Sequence, residues 1–168
     1  AIRSGHDVLV AAPTGAGKTL VAEYAIEDAV KRGRRTIYTA AGSQQLPGEV
    51  VRKEGVAASG DAAVDEAYDG LGATFAFFLE ACQRNSIDDD GLPLDATVHF
   101  GKKYDNAFWN GSQMVFGDGD GKLFNRFTVA VDVIGHELTH GVTEREAALV
   151  YRGEPGALNE SLSDVFGS

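Results

Sequence analysis

Apolar residues recur along this chain at two periods, and the switches between them mark the elements. Residues 6–11 (HDVLVA) end in four consecutive apolar residues and read as a buried strand. A helical stretch follows from Leu20 to about Lys31, and residues 35–40 read as the next strand. A Gly/Gln/Pro segment, residues 41–48, interrupts the pattern and reads as a linker. From about Asp61 to Cys82 the period becomes helical, with Val64, Tyr68, Leu71, Phe75, Phe78 and Leu79 on one face. That stripe predicts a core-facing helix. Short strands are expected over residues 95–117. Beyond Thr128, Val131, Ile134, Leu138 and Val142 recur at three- and four-residue steps, and residues 159–164 again have helical spacing. No internal repeat is visible. The fold class expected is α+β, with short strands and long helices.

The helix after Thr128 carries His136, Glu137, Leu138, Thr139 and His140, an H-E-x-x-H motif. Two histidines one helical turn apart project from the same face, so both imidazoles can reach one zinc ion. The glutamate between them points aside, toward whatever the metal binds, where it can take a proton from water. A solvated helix surface is the alternative. Against it stand the apolar stripe beside the histidines and a second pair, Glu160 and Asp164, again one turn apart. One of these carboxylates could close a two-histidine, one-carboxylate site, and the other could accept the free ring N–H of a histidine. Such a set leaves one metal position open, the arrangement of a catalytic site. Cys82 is the one cysteine, so a structural thiolate site is excluded.

These residues sit among others that resemble the thermolysin-like neutral metallopeptidases. Leu46, Pro47 and Gly48 begin the resemblance, followed by residues 60–70 (GDAAVDEAYDG), 84–88 (RNSID) and 106–111 (NAFWNG). Residues 117–121 (GDGDG) and 156–164 (GALNESLSD) complete it, in the family's order and approximate spacing from about residue 43 to residue 168. The resemblance implies the N-terminal half of a thermolysin-like catalytic domain over residues 41–168. It implies His136, His140 and Glu160 as zinc ligands, Glu137 as general base and Asp164 as the partner of a ligand histidine. It also implies Tyr151 as an oxyanion donor and Asn106 and Ala107 as contacts along a substrate strand. The reaction implied is hydrolysis of internal peptide bonds in peptides or proteins, often before a bulky apolar residue. The family's helical lobe, with much of the side-chain pocket and most calcium ligands, is expected to be absent from residues 41–168. Asp132 matches a calcium ligand of the family whose companions would lie in that lobe, so no bound calcium is expected here. His99, within the short strand-like run 96–100, is expected to be a core or sheet-face histidine.

Residues 1–40 read differently. The run 6–11 is followed by Ala12, Pro13, Thr14, Gly15, Ala16, Gly17, Lys18 and Thr19, then by the helical stretch. Strand, glycine-rich turn and helix form the P-loop context, in which Gly15 and Gly17 let backbone N–H groups cradle phosphates. Lys18 would reach the β/γ-phosphates and Thr19 would ligate magnesium. With Ala12 in place of the strict pattern's glycine, the segment resembles the nucleotide motif of DExH-type RNA helicases. Residues 35–40 look like the next strand of that family. The expectation is a strand–P-loop–helix fragment over residues 1–40, binding ATP only if it folds, fused in a chimeric chain to the peptidase domain. Two alternatives stand beside the peptidase reading: an ATP-binding helicase-like protein, and an inactive chimeric fragment.

Charge separates the same two parts. Residues 1–40 carry six Lys/Arg against four Asp/Glu, and residues 41–168 carry nine against twenty-one. The net charge of −10 argues against non-specific nucleic-acid binding, which needs a positive surface. No apolar run of about 18 residues is present, so no membrane span is expected. The N-terminus lacks a secretory pattern, while the peptidase resemblance implies an extracellular location.

Overall fold

The computed structural model describes residues 34–168. The predicted strand over residues 6–11, the helical stretch from Leu20, and Gly15, Gly17, Lys18 and Thr19 lie outside the described residues. Five strands form one sheet: β1 (Arg35–Thr39), β2 (Glu49–Lys53), β3 (Leu94–Val98), β4 (Ala107–Trp109) and β5 (Met114–Phe116), in the order β2-β1-β3-β5-β4. The three inner strands are parallel, and β2 and β4 close the two edges antiparallel. Three helices accompany the sheet: α1 (Ala62–Cys82), α2 (Val131–Ala147) and α3 (Gly153–Gly167). A short 3-10 turn, Phe127–Val129, leads into α2.

β1 ends at the boundary expected at residue 40. Read from the sequence as part of the N-terminal fragment, it is paired on both sides, to β2 and to β3 in parallel from Arg35↔Leu94 to Thr39↔Val98. Its central Ile37 is fully buried in the core that α1 and α2 share. A cut at residue 40 would leave β2 without a partner and expose one edge of β3.

The sheet's covered face explains the stripes. Ile37, Leu94, Ala96, Val98, Met114 and Phe116 meet Val64, Leu71 and Phe75 of α1 and Ile134 and Leu138 of α2 in one cluster. α1 matches its expected span, and Leu79 alone of the expected stripe stays half-buried. The α2 stripe needs one correction. Ile134 and Leu138 are fully buried, but Val131 is 55% exposed because the first turn of α2 has not yet reached the core. α1 starts where Asp61 caps it, its carboxylate accepting from the backbone N–H of Ala63 and Val64. Such a cap contributes about 1 kcal/mol.

Charge holds the β1–β2 edge onto α1. Arg35 donates from Nε and Nη2 to Glu54 at 2.7 Å each and from Nη1 to the Tyr68 carbonyl at 3.0 Å. The Tyr68 ring lies between two guanidinium groups, Arg35 at 3.7 Å and Arg52 at 3.6 Å. Its hydroxyl donates to Glu54 at 2.9 Å. Burial disfavours the charged Glu54 carboxylate, yet the Arg35 hydrogen bonds outweigh it and hold its pKa below the ordinary range.

α2 and α3 cross where glycines remove the side chains between them. A Cβ on Gly135 would lie 3.0 Å from Gly167 Cα, and one on Gly167 would lie 2.7 Å from His136 N and 2.8 Å from Asp132 O. The second contact is with backbone, which cannot rotate away. Gly167→Ala is therefore expected to destabilise the fold by about 1–3 kcal/mol, measured by urea unfolding. Unchanged stability would show that the two helices do not meet at this point.

Candidate metal centre

The crossing of α2 and α3 decides which side chains face each other. His136 and His140 stand one turn apart on the inner face of α2, with ring centroids 4.7 Å apart and planes at 84°. Their Nε2 atoms are 3.1 Å apart. Glu160, on α3, brings Oε2 to 3.3 Å from His136 Nε2 and Oε1 to 3.7 Å from His140 Nε2. One donor atom from each of the three lies within 4.8 Å of the others, and among the described residues they are the group of His, Cys, Asp or Glu gathered closely enough to share an ion. Two imidazole nitrogens and a carboxylate oxygen are the donor set that suits zinc with a position left open.

The far nitrogen of each ring meets a partner on α3. His136 Nδ1 lies 2.9 Å from Asp164 Oδ1. His140 Nδ1 lies 2.7 Å from Asn159 Oδ1 and 3.0 Å from Ser163 Oγ. A carboxylate oxygen and an amide oxygen only accept, so with a metal on Nε2 each ring would carry its proton on Nδ1, facing an acceptor. Asn159 and Ser163 were given no role from the sequence. The usable signal was their spacing: both lie on the face of α3 that carries Glu160, and both are buried.

Glu137 points the other way, toward the sheet edge. Its Oε2 accepts from the Trp109 backbone N–H at 3.3 Å. Burial pushes its pKa above the ordinary carboxylate value, against the opposing effects of that N–H and of the nearby histidines. β4 is the edge strand beside it. The Asn106 carbonyl accepts from Gly117 N, and Asn110 N donates to the Gln113 carbonyl, so these groups face β5. By the antiparallel alternation, Ala107 and Trp109 turn their backbone groups outward, over the cleft.

Two adjoining hollows flank this edge. One, of about 550 Å³, is bordered by Ala107, Phe127, Val133, His136 and Glu137. The other, of about 660 Å³, is bordered by Asn106, Trp109, Glu137, His140, Tyr151 and Glu160. Tyr151 is 64% exposed, and its ring centroid lies 5.7 Å from that of His140. The structure thus brings His136, Glu137, His140, Tyr151, Glu160, Asp164, Asn106 and Ala107 to one cleft. Asp132 borders the smaller hollow. His99 does not fit its expected place: it follows the end of β3 at φ +55°, half-buried, with its ring between two carboxylates and outside the core.

The family model for the thermolysin metallopeptidase catalytic domain matches residues 12–144, and that for the thermolysin metallopeptidase alpha-helical domain matches residues 147–168. The first match crosses both Gly15–Thr19 and residue 40, and the comparisons lend the helicase resemblance no support. An extracellular metalloprotease of Pectobacterium carotovorum subsp. carotovorum is 64% identical over 137 residues, covering 82% of this chain and 40% of that protein. A thermolysin of Alicyclobacillus acidocaldarius subsp. acidocaldarius is 50% identical over 111 residues, covering 66% and 20%. The solved structure of a precursor of protealysin, a metalloproteinase from Serratia proteamaculans, superposes with a TM-score of 0.79 at 66% identity, covering 80% of this chain and 42% of that one. The chain therefore spans about 40% of the length of the first of these relatives. With the catalytic-domain match running through most of its length, the chain belongs to the thermolysin metallopeptidase family.

Proposed function

We propose that this chain carries the metal centre and proton-transfer group of a zinc endopeptidase that cleaves internal bonds of peptides and proteins. The observation that supports this best is the convergence of two Nε2 atoms on Glu160 in a cleft that Glu137 enters from the side. His136, His140 and Glu160 would hold zinc. Bound there, the metal would supply Lewis-acid polarisation of a carbonyl oxygen and would acidify water.

The remaining work falls to the chain's own groups. Asp164 holds His136 and Asn159 holds His140, so neither ring must reorient to present Nε2. The outward backbone groups of Ala107 can pair with an extended peptide, as a further antiparallel strand would, with Asn106 beside it. Glu137 removes the proton from the attacking water and hands it to the leaving amine. Its burial favours that role, because a raised pKa makes a carboxylate a better proton acceptor. The Tyr151 hydroxyl would donate to the carbonyl oxygen as negative charge develops on it. The 550 Å³ hollow, with Phe127, Val133 and Ala107 in its wall, suits an apolar substrate side chain. An extracellular location is proposed from the name of the Pectobacterium relative. Among the described residues, no helix is long and apolar enough to cross a membrane.

Three substitutions test separate parts of the reading. Glu137→Gln should keep zinc binding and lower cleavage of an internally quenched peptide by at least about a hundredfold, since general-base catalysis contributes that much or more. Cleavage by the variant equal to the parent's would sink the mechanism. His140→Ala should lose most of the zinc in a competition titration with a chromogenic chelator; full retention would show a different ligand set. Asn159→Leu, which leaves His140 Nδ1 without its amide acceptor, should weaken zinc binding about 10–100-fold. An unchanged affinity would mean that the Asn159 contact does not orient the ring.

A further inference from the structure

His99 lies outside the cleft, and the proposed reaction does not use it. Both of its ring nitrogens face a carboxylate. Nδ1 is 2.9 Å from each oxygen of Asp118, and Nε2 is 3.0 Å from Asp61 Oδ2. A neutral imidazole has one N–H and one lone pair, so one of these carboxylates would meet a lone pair and be repelled. Only the doubly protonated ring donates to both.

We propose that His99 is a protonated cross-link that ties the N-terminus of α1 to the segment leading into the zinc helix α2, and that loss of its proton loosens that segment. Each partner has a structural post. Asp61 caps α1 through its other oxygen, which accepts from Ala63 N at 2.9 Å. Asp118 begins the segment 118–128, and the far end of that segment is fixed to α1 as well. Glu66 accepts from Arg126 Nε at 2.7 Å and from the Thr128 hydroxyl at 2.8 Å. Between these ties sits Phe127, which borders the smaller hollow, and α2 begins at Val131. The left-handed backbone of His99 aims the ring out of the sheet and between the two carboxylates.

The charged groups around the ring come from each element packed there. Asp61 faces it from α1 and Asp118 from the segment. Arg126 lies beyond them, its pKa raised first by its hydrogen bonds to Glu66 and further by the charges of Asp118 and Asp61. Burial acts to lower the His99 pKa, but the Asp118 and Asp61 hydrogen bonds outweigh it and leave it above the ordinary 6.5. The folded state therefore holds this proton to higher pH than the unfolded chain does. The stabilisation is complete below the unfolded value and is lost as pH rises through the folded one. On the acid side, burial acts to raise the Asp61 pKa, but the His99 hydrogen bond holds it below the ordinary carboxylate value. The cross-link thus persists until pH falls through that lowered value.

The test is an NMR titration of the His99 imidazole in the whole chain, with amide hydrogen exchange followed over the same pH series. The midpoint is expected above 6.5, and Asp118→Asn should lower it. Protection of the 118–128 amides should fall through that midpoint while protection in β1 and β3 holds. In urea, His99→Gln should raise the unfolding constant about tenfold relative to the parent near pH 6 and less than about twofold near pH 9.5. A midpoint at or below 6.5, an unfolding penalty that does not change with pH, or protection that is flat through the midpoint would each overturn the proposal. If His99→Gln does not fold, the parent titration and Asp118→Asn decide it alone.

Discussion

Everything in the cleft depends on two polar contacts that run between helices, an ion pair and a hydrogen bond. His136 to Asp164 and His140 to Asn159 each join α2 to α3 through the nitrogen that does not face the centre. They set the ring planes and leave both Nε2 atoms turned toward Glu160. A free histidine on a helix surface rotates about two bonds and exchanges its proton between nitrogens. Here the α3 contacts already restrain the rings' rotation, so less ordering cost remains to be met on binding. The bonds form only because the helices come within glycine distance at Gly135 and Gly167.

The sheet contributes the other wall, and its order matters more than its size. β4 is an edge strand with its outward groups over the cleft, and one of them, the Trp109 N–H, already engages Glu137. The same strand that would align a peptide therefore also positions the carboxylate that would act on it. At the opposite edge, the Arg35–Glu54–Tyr68 network ties β1 and β2 to α1. Both edges are thus held, one by ion pairs and one by the centre itself.

Much of this was legible in the sequence, for identifiable reasons. α1 could be read because 21 residues repeat one apolar face, with a capping aspartate in front. The spacing of His136 and His140 and of Glu160 and Asp164 announced the centre because a helix converts spacing directly into facing. The sheet could not be read in the same way. Its strands are three to five residues long, and β1 finds β3 across more than fifty intervening residues. A short strand such as Arg35–Thr39, with only Ile37 and Tyr38 apolar, looks alike in either context, and the sequence pattern attaches it to the segment before it. Asn159 gives no signal in the sequence because a neutral amide carries no metal-ligand signature; only its position opposite His140 gives it a task. The strand-like neighbours of His99 suggest burial, whereas the chain turns out of the sheet just before it.

The most direct test of the account is 15N NMR of the imidazole nitrogens during a zinc titration. At one equivalent of zinc, the Nε2 signals of His136 and His140 should move together to metal-bound positions while both Nδ1 atoms stay protonated. Metal on Nδ1 of either ring, or zinc taken up without moving both Nε2 signals, would contradict it.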